Sequence, residues 1–386
     1  MIGSFYEFFA GGGMARAGLG REWTCLFANE FDHKKSVTYR RNWGDGELKT
    51  CDVRTVKTED VPGQANLIWA SFPCQDLSLA GAGAGLKGDR SGTFWPFWEV
   101  VKGFIADGRA PEIITLENVI GTLHSHDGKD FGAICSALYS AGYRFGSMVI
   151  DAALFVPQSR PRLFVVGIRD DVRIPERAYR HDPSPLWHSR ALQSAYQKLP
   201  AKVRQKWIWW DMPAVPPRSS VFADLVEETP TGVEWHTATE TLQLLAMMSD
   251  INRAKVEEAK KLSKKSGRHL VGTIYKRTRR DEDGCKVQRA EVRFDDVAGC
   301  LRTPAGGSSR QLIIVVNAGR VRSRLISSRE TARLMGLPDN YILPENYNEA
   351  YHLTGDGVAV PVVQHIAEHI FGPLLVMQPS LARVAA

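Results

Sequence analysis

Three short stretches hold the side chains best suited to covalent chemistry. Pro73-Cys74-Gln75 sets a thiol directly behind a proline, just past an apolar run from Leu67 to Ser71. The proline fixes the local backbone and removes one donor. Leu116-Glu117-Asn118-Val119 closes the next apolar run, so a carboxyl group is expected at the same edge as the thiol. Val156-Pro157-Gln158-Ser159-Arg160-Pro161-Arg162-Leu163 brings two arginines at alternate positions into a strand, which would point both one way. A thiol, an acid and guanidinium groups at one sheet edge suit covalent attack on an electron-poor ring. The acid would meet the charge that attack drives into the ring, and an arginine would anchor a ring carbonyl. A free cysteine is more often buried and inert. Here the glycine-dense stretch from Gly81 to Gly92 follows it closely and suits closure over a ligand.

A second group of residues suits a nucleoside. Phe8-Phe9-Ala10-Gly11-Gly12-Gly13 follows a predicted strand and opens a helix, and glycines there let a ligand approach the backbone. Asn29-Glu30-Phe31-Asp32 ends the second strand, where an acid can hydrogen-bond a ribose. Phe9 and Phe31 could equally be core, and Asp52 a helix cap.

These positions require a particular scaffold. Ser4 to Phe9, Thr24 to Asn29, Leu67 to Ser71 and Ile113 to Leu116 read as strands. Met14 to Leu19 and Lys34 to Asn42 read as helices between them, and Val149 to Ala152 with Leu163 to Ile168 as a late pair of strands. Alternation of this kind implies a largely parallel sheet covered on both faces. The pattern breaks after Arg169. From Pro175 to about Cys300 come prolines, a tryptophan-rich stretch (Trp207, Trp209, Trp210) that suits packing of a smaller domain, and one long helix from about Thr239 to Lys265. That helix carries Leu242, Leu245 and Met248 on one side and stops at Gly267. Ser327 to Met335 and Val358 to Phe371 read as further helices. The expected division is 1–172, 173–344 and a returning segment 345–386.

Charge is concentrated rather than spread. The 386 residues carry a net charge of +6, yet Ile251 to Arg293 alone holds 14 Lys and Arg against six Asp and Glu. A polyanion-facing patch on a near-neutral enzyme has this signature. The apolar content of 44% excludes global disorder. No run approaches the roughly 18 apolar residues of a membrane helix, and no leader peptide is recognisable. The six cysteines form no C-x-x-C pair, so neither a metal site nor a disulfide scaffold is expected.

Taken together in order, these motifs resemble the DNA (cytosine-5)-methyltransferase family of bacterial and phage type, from Ser4 to about Ile370. The glycine turn, Pro73-Cys74-Gln75, Glu117-Asn118-Val119 and Gln158-x-Arg160-x-Arg162 are joined by Arg329-Glu330-Thr331-Ala332-Arg333-Leu334-Met335-Gly336 and by Gly355-Asp356-Gly357-Val358 with Val360-Pro361. Met14 and Asp356 depart from the family pattern, which has Gly and Asn there. The resemblance implies an S-adenosylmethionine-dependent, Rossmann-like α/β fold with a mixed sheet and a smaller irregular target-recognition domain. It implies methyl transfer to carbon 5 of a flipped-out cytosine in a specific double-stranded DNA sequence, with Cys74 as nucleophile, Glu117 and Arg162 at the ring, and Arg160 in the same catalytic set as the residue that supports the loop. The cofactor would meet Phe9, Ala10, Gly11, Gly13, Glu30, Phe31, Asp52, Val53, Pro73, Asp356 and Gly357. DNA would meet Gln75, Ser78, Arg90, Lys276, Arg277, Arg279, Arg280, Arg302, Gly306, Gly307, Ser308, Ser309 and Arg310. A cytoplasmic monomer is expected, with neither membrane nor metal, beside a restriction system in some settings. The alternatives are a tRNA methyltransferase of the same fold and an inactive DNA-binding relative. A nicotinamide dehydrogenase leaves the Pro-Cys-Gln loop without a task, and an adenine methylase would need an Asp/Asn-Pro-Pro-aromatic motif that is absent.

Overall fold

A computed structural model of the chain describes residues 1–73, 91–302 and 310–376. They divide into two compact units. The first comprises 1–151, 161–216 and 358 onward; the second comprises 152–160 and 217–357. The second unit therefore begins at Pro217 and ends at Gly357, rather than at the expected 173 and 344, and it captures the loop that carries Gln158 and Arg160.

The first unit is built on a seven-stranded sheet: β1 (Gly3–Phe8), β2 (Trp23–Glu30), β3 (Leu48–Thr50), β4 (Leu67–Ala70), β5 (Ile113–Val119), β6 (Tyr143–Asp151) and β7 (Pro161–Arg169). Their order is β3-β2-β1-β4-β5-β7-β6. β1 to β5 run parallel, and β7 lies antiparallel between β5 and β6, which makes the sheet mixed. The strand order reverses between β1 and β4. At such a switch point the carboxyl ends of neighbouring strands diverge and leave a crevice for ligands. Both stretches that sequence analysis assigns to chemistry begin there, Phe9–Gly13 after β1 and Ser71–Pro73 after β4.

Both faces of the sheet are buried, with the period of two that strand geometry imposes. Tyr6, Phe8, Ile68, Ala70, Ile114 and Leu116 pack against α2 (Phe94–Ala106) and α3 (Lys129–Ser140). On the other face Trp69 stacks edge-on with Phe371 at 6.4 Å. Phe371 belongs to the C-terminal segment, whose helix Val360–Ile366 lies against α1 (Met14–Leu19). Gly18 permits this contact, since a Cβ there would sit 2.4 Å from Val363. The tryptophan-rich stretch belongs to this unit rather than to the smaller domain. Ile208 donates its N–H to the Phe145 carbonyl and Phe145 donates to Lys206, so the segment seals the outer edge of β6.

The second unit holds a four-stranded antiparallel sheet in the order Lys286–Arg293, Leu270–Arg280, Leu312–Asn317, Arg320–Leu325. Two helices, Ala238–Ala246 and Asp250–Ser266, replace the single expected one. The break falls at Met247, whose carbonyl accepts the N–H of Ala290 on the sheet edge. Thr237 and Glu240 form a capping box on the first helix, and Gly267 ends the second in the left-handed region. Leu244 and Met248 enter the core, whereas Leu242, two positions before Leu244 on the same helix, is exposed.

Candidate active site

The end of β5 carries the acid. Glu117 stands opposite Phe164 and Val119 opposite Arg162 on antiparallel β7, so Glu117 and Arg162 are diagonal neighbours on one face. Arg162 Nε lies 3.3 Å from Glu117 Oε1, with both side chains largely withdrawn from solvent. In such surroundings charge–charge contacts are screened much less than at the surface. Arg162 also donates from Nη1 to the Pro161 carbonyl at 3.0 Å. Asn118 ties this edge to the thiol-bearing loop: its Nδ2 donates to the Phe72 carbonyl at 3.1 Å, and its Oδ1 accepts from the Val119 N–H and Thr122 Oγ1. Phe72 is buried against Phe94, with ring centroids 5.3 Å apart. The backbone is thus fixed two residues before Cys74. Cys74 itself, with Gln75, Ser78 and Arg90, lies outside the described residues. Sequence analysis assigned Asn118 no role, although its place directly after the acid was the available signal.

The ends of β1 and β2 form a second cradle. Phe9 and Gly11 both take positive φ, 58° and 56°, and a Cβ on Gly11 would meet nothing within 4 Å. The open side of that backbone is accessible to a ligand. Glu30 is held by two backbone donors, Gly11 N–H to Oε2 at 2.7 Å and Asp32 N–H to Oε1 at 2.8 Å. Each oxygen keeps a lone pair for a hydroxyl donor. Ala10 donates to the Asn29 carbonyl, and Asn29 Nδ2 reaches the Cys51 carbonyl at 2.9 Å, which locks β2 to the turn after β3. Phe31 exposes 68% of its surface, an unusual amount for phenylalanine next to a buried carboxylate. Asp52 caps the short turn Val53–Thr55 through the Arg54 N–H. Val53 is buried beneath it and borders an apolar cleft of about 530 Å³ shared with Trp95 and Val100. Gly13 has a packing reason for its identity, because a Cβ would collide with Trp43, whose indole N–H donates to the Gly12 carbonyl at 2.9 Å. Met14 is buried at the start of α1.

Arg160 is not the partner of Arg162 that alternate spacing suggested. Pro161 begins β7, so Arg160 belongs to the preceding loop, where strand alternation does not apply. It is 2% exposed, and its guanidinium donates to the carbonyls of Leu301, Gly355 and Gly357 within the second unit. Gln158 is buried there too, donating to the Leu334 carbonyl at 2.8 Å. Asp356 is exposed at the end of the helix Tyr347–Asp356, followed by Gly357. Arg310 lies over the Tyr347 ring and donates to Asn348. Arg302 is exposed, and the intervening Gly306, Gly307, Ser308 and Ser309 lie outside the described residues. Lys276, Arg277, Arg279 and Arg280 sit on the outer half of the strand Leu270–Arg280.

The family model for C-5 cytosine-specific DNA methylases matches residues 3–372. The chain belongs to that family. It is therefore an enzyme, a methyltransferase acting on carbon 5 of cytosine in DNA, and membership implies S-adenosylmethionine as methyl donor. Among its relatives, the Type II methyltransferase M.Bsp6I of Bacillus sp. (strain RFL6) is 26% identical over 372 residues, covering 94% of this chain and 97% of that protein. M.HpaII of Haemophilus parainfluenzae is 25% identical over 392 residues, covering 96% and 90%. Among solved structures, S. pombe Dnmt2 methyltransferase has a TM-score of 0.56 at 16% identity, covering 96% of this methylase and 99% of that chain. Entamoeba histolytica methyltransferase EhMeth has a TM-score of 0.60 at 14% identity, covering 95% and 97%. These two likenesses concern the fold of the methylase alone.

Proposed function

We propose that this methylase modifies one cytosine within a specific double-stranded sequence, through a covalent bond from Cys74 to carbon 6 of the ring. The observation that supports it most directly is the buried Glu117–Arg162 pair at the end of β5, tied by Asn118 to the backbone leading into Cys74. Carbon 5 of cytosine is a weak nucleophile until something adds to carbon 6. Cys74, as thiolate, adds there and opens the carbon 5–carbon 6 double bond into the ring. Glu117 shares a proton with ring nitrogen 3 and neutralises the charge that results. Carbon 5 then takes the methyl group, and loss of its proton restores the double bond as the Cys74 thiolate leaves. Arg162 holds the ring carbonyl while orienting Glu117. Arg160 acts at a distance, as a positioning residue that fixes the loop leading into β7.

The residues after β1 and β2 suit S-adenosylmethionine, which supplies an electrophilic methyl group when bound. Glu30, pre-oriented by two N–H donors, accepts from ribose hydroxyls. The open backbone at Gly11 and the exposed ring of Phe31 flank the adenosine, with Phe9, Ala10, Val53 and Pro73 lining the same edge and Asp52 near the adenine amine. Asp356 and Gly357 complete the set that the family pattern suggests. A base inside a duplex cannot reach the thiol, so it leaves the stack at a cost of a few kcal/mol. Gln75, Ser78 and Arg90 would hold the emptied duplex, while Arg302, Gly306, Gly307, Ser308, Ser309 and Arg310 would read it. The Type II relatives make a bacterial cytoplasm with a companion restriction activity the natural setting.

A transfer assay that offers duplex DNA and tRNA side by side tests this reading. Methyl groups are expected in duplex DNA only, and sequencing that detects 5-methylcytosine should place them in a single sequence context. Transfer to tRNA, or to cytosines without regard to context, would contradict it.

A further inference from the structure

The basic segment of the second unit is a two-stranded ribbon with two unlike faces. Leu312–Asn317 pairs with Leu270–Arg280 only as far as Ile274, so residues 275–280 and 286–291 project beyond the sheet as a pair of strands. Directly paired residues share a face. One face carries Tyr275 opposite Glu291, Arg277 opposite Arg289 and Arg279 opposite Val287; the other carries Lys276 opposite Ala290, Thr278 opposite Gln288 and Arg280 opposite Lys286. The four cations that sequence analysis grouped together thus divide two and two.

The faces differ in what balances their charge. The turn at the tip holds Asp281, Glu282 and Asp283, which would repel a phosphate backbone approached tip-first. Arg280 and Lys286 adjoin these acids in the chain, and Arg280 also donates to the Gly284 carbonyl at 2.8 Å. Arg277 stands four residues from Asp281, about 13 Å at strand rise, and Arg289 six residues from Asp283, both beyond a Debye length of about 8 Å at physiological salt. Like charges paired directly across strands are destabilising. For three arginines this face has one carboxylate, Glu291, which lies 2.6 Å from Arg279 and 3.5 Å from Arg277. It orients two guanidinium groups and leaves the face cationic. At the base, Tyr275 continues the row: it lies under Arg277 and donates to Gln311 Oε1 at 2.7 Å, against the Cys300–Arg302 segment. The opposite face is instead occupied at its base by the helices, with Ala290 buried among Leu244 and Met248.

We infer that the Arg277–Arg279–Arg289 face of the ribbon lies along the phosphates of the bound duplex, with Glu291 as the positioning residue that holds Arg277 and Arg279 in a fork, while Lys276, Arg280 and Lys286 face away. The inference rests on the DNA reading above. Compact neutralisation separates the two faces. Arg277→Ala, Arg279→Ala and Arg289→Ala combined should lower the slope of log binding constant against log salt by about two to three, at about 0.9 per phosphate contact. The Arg→Lys version of the same triple should restore most of that slope, which guards against misfolding as the cause. Lys276→Ala, Arg280→Ala and Lys286→Ala combined should leave the slope unchanged. An equal or larger loss of slope from the second triple, or no loss from the first, would overturn the assignment. A wild type that methylates its duplex target but binds it with no salt dependence would overturn the ribbon alone. One that neither binds nor methylates duplex DNA would remove the DNA reading and the ribbon with it.

Discussion

At the scale of single residues, burial decides which polar groups do chemistry and which hold the frame. Glu7 on β1 shows the difference. It is 1% exposed, and burial pushes its carboxyl up to about 8, an effect that Arg16 opposes only partly. The reason is that Arg16 spends its guanidinium on the Tyr39 hydroxyl at 2.9 Å and on Glu47 at 3.4 Å. Glu7 is therefore protonated in the folded enzyme at neutral pH and ionised in the unfolded chain. Between about pH 4.5 and 8 the folded state binds the extra proton, so stability falls as pH rises across that window and levels off above it. Glu7→Gln removes the proton exchange. Thermal unfolding of the variant should show a flatter pH dependence between 5 and 8 than the wild type, with its largest relative gain at pH 8. A parallel dependence in both proteins would exclude Glu7 as its source.

At the scale of elements, capping carries much of the architecture. Ser327 and Glu330 form a capping box on Ser328–Leu334, and Glu330 also takes both guanidinium nitrogens of Arg324 at 2.5 and 2.8 Å, with both side chains fully buried. Glu330→Gln would leave Arg324 as an uncompensated buried charge, at a cost of about 3–5 kcal/mol. Denaturant unfolding should record that loss, and a cost below 1 kcal/mol would contradict the pairing. The sequence made the helix beginning near Ser327 legible, along with the apolar runs of β1, β2, β4 and β5. Other elements were hidden for identifiable reasons. The helix Tyr347–Asp356 starts at the Asn346 cap and spaces Tyr347, Ala350, Tyr351 and Thr354 correctly, but its Gly355-Asp356-Gly357 end reads as a turn. β6 extends back to Tyr143 through Gly146, a residue that reads as a breaker. Its missing side chain makes room for the Ile208 carbonyl, which a Cβ would meet at 1.8 Å. Such close approaches exist only in the folded molecule.

At the scale of the whole molecule, the chain passes from the first unit to the second at Ala152 and returns at Pro161. The two arginines of one motif consequently serve different bodies, which no spacing rule could reveal. Arg160→Ala should leave the carbonyls of Leu301, Gly355 and Gly357 without their donor, each at about 1–3 kcal/mol. Arg162→Ala should instead slow methyl transfer, with a smaller loss of stability than Arg160→Ala because the Arg162 side chain keeps some access to solvent. Comparing denaturation and saturating-substrate rates for the two variants checks this, and the reverse pattern would exchange their roles. The strand-end positions of the acid Glu117 and of Arg162 were legible from the apolar runs around them, whereas the burial of Arg160 against the carbonyls of Leu301, Gly355 and Gly357 depends on distant parts of the chain.

The central claim is the covalent step at Cys74, and duplex DNA carrying 5-fluorocytosine in the methylated context tests it most directly. Fluorine cannot leave carbon 5 as a proton does, so the adduct should persist through denaturing electrophoresis in the presence of S-adenosylmethionine. Peptide mapping should place it on Cys74, and Cys74→Ser should form none while still binding the duplex. A wild type that methylates the unfluorinated site yet leaves no adduct, or an adduct mapped to another residue, would contradict the account.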